Sequence, residues 1–359
     1  MLANTLKSKG YILFTLFFLT FFLSQKAFCE DKKASEHEEQ GFNAGKTIIE
    51  HIVDAHEWHI AKFGEKHISI PLPVILYDDG KIVAFMSSKF HHGTAEYKGY
   101  KLDEKGKIIK VDESAKPPLD FSITKNVVSL FISVILICWI FISIARRFKK
   151  HQNEAPKGLQ SWLEPLILFV RDDIARPAIG EKRYEKYMPY LLTIFFFIFI
   201  NNLLGLIPFF PGGANLTGNI AVTMVLALFT FIITTISGNK HYWKEIYNAP
   251  GVPWWLKAIP LMPIVEIVGV VTKPFVLMVR LFANITAGHI IALGFISLIF
   301  IFGQMSPGAG YGFSIISVFF YIFMGLLELL VAFIQAYVFT LLSSLYFGMA
   351  IAEHHESAH

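Results

Sequence analysis

Residues 259–302 read IPLMPIVEIVGVVTKPFVLMVRLFANITAGHIIALGFISLIFIF, with only three formal charges, Glu266, Lys273 and Arg280. The apolar character continues to Ala352, with Glu328 as the one further charge. A stretch this apolar and this long belongs in a membrane. An arginine at the centre of a membrane helix costs about 2.5–3.5 kcal/mol on insertion scales. Its guanidinium cannot shed that cost by losing a proton, because its pKa stays above about 12. The flanking runs TKPFVLMV and LFANITAG are too apolar to place Arg280 at an interface, where arginines commonly snorkel. A charge kept at such depth acts on an ion or on a partner's carboxylate.

Composition agrees. Hydrophobic residues make up 54% of the chain, with 35 phenylalanines, which defines a polytopic membrane protein. The net charge of +4 is small, and the basic residues cluster beside the apolar spans. They read as topology signals, not as a nucleic-acid surface. Cys29 and Cys138 are the two cysteines, too few and too differently placed for a disulfide framework. Nothing resembles a phosphate-cradling Walker loop, and no cofactor or metal is implied.

The expected domains are a signal peptide at 1–29, a polar extracytoplasmic extension at 30–118, a membrane domain at 119–350 and a cytoplasmic tail at 351–359. Lys7 and Lys9 precede an apolar run at 11–23, and the small residues near Cys29 suit cleavage. The extension reads first as helical, from Phe42 to Phe63, and then as strands PLPVILY and KIVAFM about an Asp78-Asp79-Gly80 turn. A second hairpin is expected around Lys105-Gly106. Its histidines, His37, His51, His56, His59, His67, His91 and His92, read as an exposed His-rich helix; His56-Xaa-Xaa-His59 would bind a metal only if other ligands converged. His354, His355 and His359 of the tail take the same plain reading.

In the membrane part, residues 127–145 form the first span. Arg146, Arg147, Lys149 and Lys150 follow it, which places that end in the cytoplasm and the extension outside. Residues 159–174 carry one apolar face and predict a helix on the inner membrane surface. No charge falls between Lys186 and Lys240, so two spans are expected there, joined by a short turn near Pro208 and Pro211-Gly-Gly213. Lys240 and Lys244 mark a loop. Two segments at 259–302 and 313–347, separated by GQMSPGAGYG, are each too long to stand upright in a core of ~30 Å and must tilt, bend or fold back. The expected architecture is all-α, with about five crossings, an interfacial amphipathic helix and a small mixed α/β extension.

Glu266, Lys273 and Arg280 are spaced by seven and share a helix stripe, with Asn284 one turn beyond. His289, nine residues from Arg280, falls on the opposite face about 13 Å along the axis. Antiparallel packing of the last two segments would bring His289 near Glu328, and Gln335 near Arg280. A desolvated carboxyl and an imidazole are side chains able to hand on a proton near neutral pH. Arg280 is a fixed positive barrier between two such access routes.

The string from Lys273 to Gly288, KPFVLMVRLFANITAG, resembles the signature of subunit a of F-type ATP synthases. Asn201-Asn202-Leu-Leu-Gly205-Leu-Ile-Pro208, Pro211 with Ala214-Asn215-Leu216, and Gln335 followed by AYVFTLLSSLYF extend the likeness over residues 120–350. The resemblance implies a non-catalytic stator subunit in a bacterial inner membrane, working against a ring of c subunits and held by peripheral-stalk b subunits. Arg280 would face the ring's carboxylate between two offset half-channels. Glu266, Asn284, His289, Glu328 and Gln335 match polar channel positions. His289 and Glu328 stand exchanged relative to some bacterial members, as in mitochondrial relatives; a pair that keeps one acid and one imidazole favours protons as the transported ion. The long polar extension departs from the family. A secondary transporter with a midplane Arg–Glu site is the alternative, but such proteins often show internal repeats, and none is convincing here. An intramembrane enzyme using His289 and Glu328 lacks a paired histidine motif.

Overall fold

The computed structural model describes residues 43–352, apart from 64–65, 94, 104–105, 113–115, 151–155, 208–211 and 248–260. The expected signal peptide and the tail histidines, with His37, lie outside the described residues. The first element among the described residues is the amphipathic helix α1 (Ala44–Ile52). Strands β1 (Glu57–Phe63) and β2 (Lys66–Pro71) then pair antiparallel. The helix expected as far as Phe63 thus ends at Ile52, because Trp58 and Ile60 enter a paired strand whose tertiary contacts override the local helical spacing. Accordingly His56-Xaa-Xaa-His59 enters a strand and not a helix.

Strands β3 (Pro73–Asp78) and β4 (Lys81–Met86) form the hairpin expected at Asp79-Gly80. Both turn residues have positive φ, 45° and 80°, as a two-residue primed turn requires. Strands β5 (Tyr100–Leu102) and β6 (Ile108–Lys110) make the second hairpin. Strand β7 (Leu119–Asp120) pairs with the other edge of β3. Alternation along β3 turns Val74 and Leu76 into a small core with Phe90, Tyr100 and Ile108.

The extension is fastened to the first long helix, α2 (Lys125–Lys150). Helix starts leave unsatisfied N–H groups, and here the extension accepts them. The Asn126 amide donates to the Asp54 carboxylate at 3.0 Å, and the Lys125 amide donates to the Ala55 carbonyl at 2.9 Å. Beside this junction His56 is buried, with Nε2 at 3.0 Å from Asp120 Oδ2.

Among the described residues, five helices are long and apolar enough to cross a membrane. After α2, α3 (Leu159–Phe169) leads through a π-helical segment, Val170–Ala175, into the one-turn α4 (Arg176–Ile179). The single amphipathic helix expected at 159–174 is therefore divided. Trp162 is 82% exposed, whereas Val170 and Ile174 are fully buried. The wider π turn rotates the later residues into the core. Then come α5 (Tyr184–Leu206) and α6 (Ile220–Ser237). Their connection is not a bare turn, since Ala214, Asn215, Leu216 and Thr217 are buried within the protein. The expected loop at Lys240 instead holds α7 (Lys240–Tyr247).

The last two helices, α8 (Leu261–Met305) and α9 (Pro307–Ile351), are continuous over 45 residues each. At about 67 Å, each is twice the hydrocarbon thickness. Neither folds back within itself. The loop expected at GQMSPGAGYG shrinks to Ser306, whose hydroxyl accepts the Ala309 amide while Pro307 takes the first helical position. Stacked Phe302 and Phe313 rings, 3.7 Å apart, close the tip. The main core gathers Val170, Ile174, Leu191, Phe195, Phe196, Leu277, Leu281, Phe339 and Phe347 from the π segment, α5, α8 and α9.

Candidate functional site

Antiparallel packing of α8 on α9 sets the register of the site. It runs from Phe302–Phe313 at the tip through Phe295–Phe320 and His289–Glu328 to Lys273–Tyr346. His289 Nδ1 lies 3.9 Å from Glu328 Oε1, with both side chains largely buried. The approach depends on Gly288. A Cβ there would stand 2.6 Å from Glu328 Oε1, so any side chain at 288 would push the end of Glu328 aside. Glu328 Oε1 is buried without a hydrogen-bond partner, a costly state for an ionised group in an apolar surround.

Both groups open into a cavity of ≈ 210 Å³, also lined by Asn202, Asn284, Leu206 and Ala332. That volume holds several waters. Asn202 was not singled out as a site residue, although two consecutive asparagines in a charge-free span are a signal of the same kind as Arg280. The fold shows its setting. Asn202 donates from Nδ2 to the Ala332 carbonyl at 3.3 Å and accepts from the Thr217 hydroxyl at 2.6 Å. The buried connection after α5 is thereby tied to the cavity wall.

Arg280 lies on the other face of α8. It is exposed, beside exposed Val276 and Val279, and no described carboxylate pairs with it. The helix register brings it level with the turn of α9 that holds Gln335 to Phe339. Gln335 itself is only 6% exposed, so the two residues share a level while differing sharply in environment. Glu266 is partly exposed towards the start of α8 and acts electrostatically on Tyr242 of α7.

On the far side of Arg280 from His289 lies a second, smaller cavity of ≈ 20 Å³. Thr230, Thr234, Tyr242, Lys273 and Tyr346 line it. The Lys273 ammonium lies 5.8 Å from the Tyr346 ring centroid, and Tyr346 also feels the Arg280 charge. Next to it, Tyr190, Thr230 and Ser343 form a buried hydroxyl chain with steps of 2.9 and 3.3 Å. These hydroxyls give little sequence signal, since serine and threonine in membrane helices usually bond their own backbone. Along α8, Arg280 is nine residues from His289 and seven from Lys273, about 13 and 10 Å.

Fold and site together define a multi-pass membrane protein whose helix α8 carries an exposed arginine between two cavities with some polar groups in their walls. Comparison with known proteins gives the family. Residues 127–348 match the family model described as ATP synthase A chain, and the chain belongs to that family. Relatives include ATP synthase subunit a of Chloroherpeton thalassium, 43% identical over 248 residues, covering 67% of this chain and 70% of that protein. ATP synthase subunit a of Myxococcus xanthus is 43% identical over 248 residues, 67% of this chain and 77% of the other. ATP synthase subunit a 2 of Chlorobium luteolum is 37% identical over 323 residues, 88% of this chain and 78% of the other. That last share exceeds what the membrane part alone supplies, so the polar extension is not peculiar to this chain. Residues 47–129 also match a domain of unknown function.

Proposed function

We propose that this chain is the proton-translocating stator of a rotary ATP synthase, with Arg280 as the charge that separates and couples two offset half-channels. The observation that carries this reading is the placement of Arg280. It stands exposed on an apolar helix face, with a cavity on either side of it along the same helix, one holding His289, Glu328, Asn202 and Asn284 in its wall and the other Lys273, Tyr242 and Tyr346.

A bare guanidinium facing lipid is unstable, whereas one facing a partner's carboxylate is not. The partner of that chemistry is the ion-carrying acid of a c-subunit ring, which the membership makes available; b subunits would hold the chain in place. Arg280 stays charged at every working pH and carries no proton onward. Contact with it lowers a carboxyl's pKa by ~1–3 units, which obliges the arriving acid to release its proton on one side before it passes.

His289, Glu328, Asn284 and Asn202 then form one access route, through a cavity that admits water. Lys273, Tyr346, Tyr242 and Glu266 flank the other. Gln335 keeps a neutral polar group at the level of Arg280. The chain itself is non-catalytic; ATP chemistry belongs to other subunits. By the positive-inside rule the basic end of α2 is cytoplasmic and the extension lies outside.

The test is ATP-driven proton pumping by inverted vesicles carrying Arg280→Ala, with assembly of the complex followed in parallel. Loss of pumping in an assembled complex is expected. Pumping at a normal rate would falsify the assignment.

A further inference from the structure

Among the described residues lies a large cavity apart from the proposed ion path. It is a groove of ≈ 440 Å³ between α2 and α5, walled by Val134, Ile137, Phe141, Ile142, Leu192 and Phe196 among others. Both walls are membrane spans. Space of this kind inside the hydrocarbon layer does not stay empty, because each unfilled volume forfeits dispersion contacts. Its floor is firm, since Phe141 packs edge-on against Phe196 at 4.9 Å.

From Val134 to Ile142 the groove runs about 12 Å along α2, close to the depth of one leaflet of a ~30 Å core. It then meets a basic rim. Arg146, Arg147, Lys149 and Lys150 end α2 and are exposed. The Arg147 guanidinium turns towards Gly158, with Nη1 at 3.9 Å from the place a Cβ would take. Gly158 is the N-cap of the 11-residue α3 and offers no side-chain cap. A guanidinium and an uncapped helix N-terminus, both positive, therefore sit side by side. The carboxylate of that helix, Glu164, lies a turn further on and is engaged by Gln160 at 3.2 Å. Two juxtaposed positive ends call for an anion between them, and Trp162, on the second turn of α3, is exposed.

We infer that the α2–α5 groove is a site for an anionic phospholipid, with an acyl chain in the groove and its phosphate between Arg147 and the start of α3. Headgroup and chain are recognised by different elements, so the lipid pins α2 to α3 and α5 where few protein contacts do so. The site is independent of the proton pathway, which lies across the core on α8 and α9.

The test uses the whole complex reconstituted in phosphatidylcholine vesicles. Traces of photoreactive phosphatidylglycerol, or of phosphatidylcholine bearing the same photoreactive chain, are added, and the labelled peptides are mapped. The anionic probe is expected to label residues 134–142 and 189–197 about fivefold more than the neutral one, the factor one basic residue contributes at an anionic surface. Arg147→Gln should remove that preference, and Leu192→Trp should remove labelling at the groove by filling it, with pumping retained in both. Equal labelling by the two probes would mean ordinary boundary lipid and overturn the site. So would the absence of label in the groove with a partner subunit cross-linked at Cys138, which would make the occupant a protein helix. Should Arg147→Gln fail to assemble, Leu192→Trp decides between the same outcomes.

Discussion

At the residue scale, we propose that His289 and Glu328 act as one unit. They approach to 3.9 Å inside a shared cavity, and contacting residues couple by 0.5–3 kcal/mol. Glu328→Gln or His289→Ala alone is expected to lower ATP-driven pumping by about tenfold or more, equivalent to ~1.4 kcal/mol. The double exchange His289→Glu with Glu328→His should recover a substantial part of the rate, because one acid and one imidazole are kept. Pumping assays on assembled complexes check both, and an exchange no better than the single variants would show that the two residues do not work together. Gly288→Ala tests the geometry by another route. The added methyl meets Glu328 Oε1, and overpacking costs about 1–3 kcal/mol. The rate should fall with no charge altered, whereas Gly294→Ala, where nothing lies within 4 Å, should be silent. The pairing of His289 with Glu328 was expected from spacing, because both lie on apolar helices with few other polar groups to meet. Asn202, Thr217 and the Tyr190–Thr230–Ser343 chain give little sequence signal, since only tertiary packing brings such common polar residues into hydrogen-bonding contact.

The α8–α9 tip shows at the element scale how little sequence makes a hairpin. Ten residues of loop-like composition, GQMSPGAGYG, yield a single non-helical residue. Glycine and proline did not break the helices, because Pro307 occupies a first-turn position that needs no N–H. Gly310 lies where any Cβ would meet the Gly303 backbone, so this glycine serves close helix approach. Ser306→Ala removes the cap of α9 and should cost about 1 kcal/mol. Hydrogen exchange at 303–312 in the intact complex reads this as faster exchange at the tip with none in the remainder of α9; unchanged protection would mean that Phe302–Phe313 stacking alone holds the turn. The π segment was not legible at all. Its sequence, VRDDIA, has ordinary helical character, and the wider turn is selected by the core that receives Val170 and Ile174.

The attachment of the extension to the membrane part is a matter for the whole molecule. Asp54 and Ala55 accept amides from the first turn of α2, and beside them His56 meets Asp120, 64 residues on. Desolvation works against the Asp120 carboxylate, but hydrogen bonds from His56 and Ser122 outweigh it and hold its pKa below the usual aspartate value. A carboxyl whose folded pKa is lowered contributes stability above its unfolded value and loses it as pH falls through the folded one. The extension should therefore stay docked at neutral pH and loosen only below about pH 4. Asp120→Asn should flatten that acid response. Hydrogen exchange of residues 119–126 against pH checks it, and loosening that begins near pH 6 would point to another group.

The sequence by itself determined the membrane character, the five apolar helices and two of the three β-hairpins, and it singled out the candidate site residues. Each follows from a local cost: a charge in hydrocarbon, an apolar run of spanning length, an Asp-Gly turn. Where those costs conflict with long-range packing, the tertiary structure decided. It ended α1 at Ile52 in favour of a paired strand, divided the 159–174 helix to bury Ile174, and kept α8 whole through Pro274. It also placed Arg280 outward and His289 inward on one helix, with a cavity on each side. Spacing fixes that the two residues lie on opposite faces, but which face meets the core is settled only when α8 finds α9.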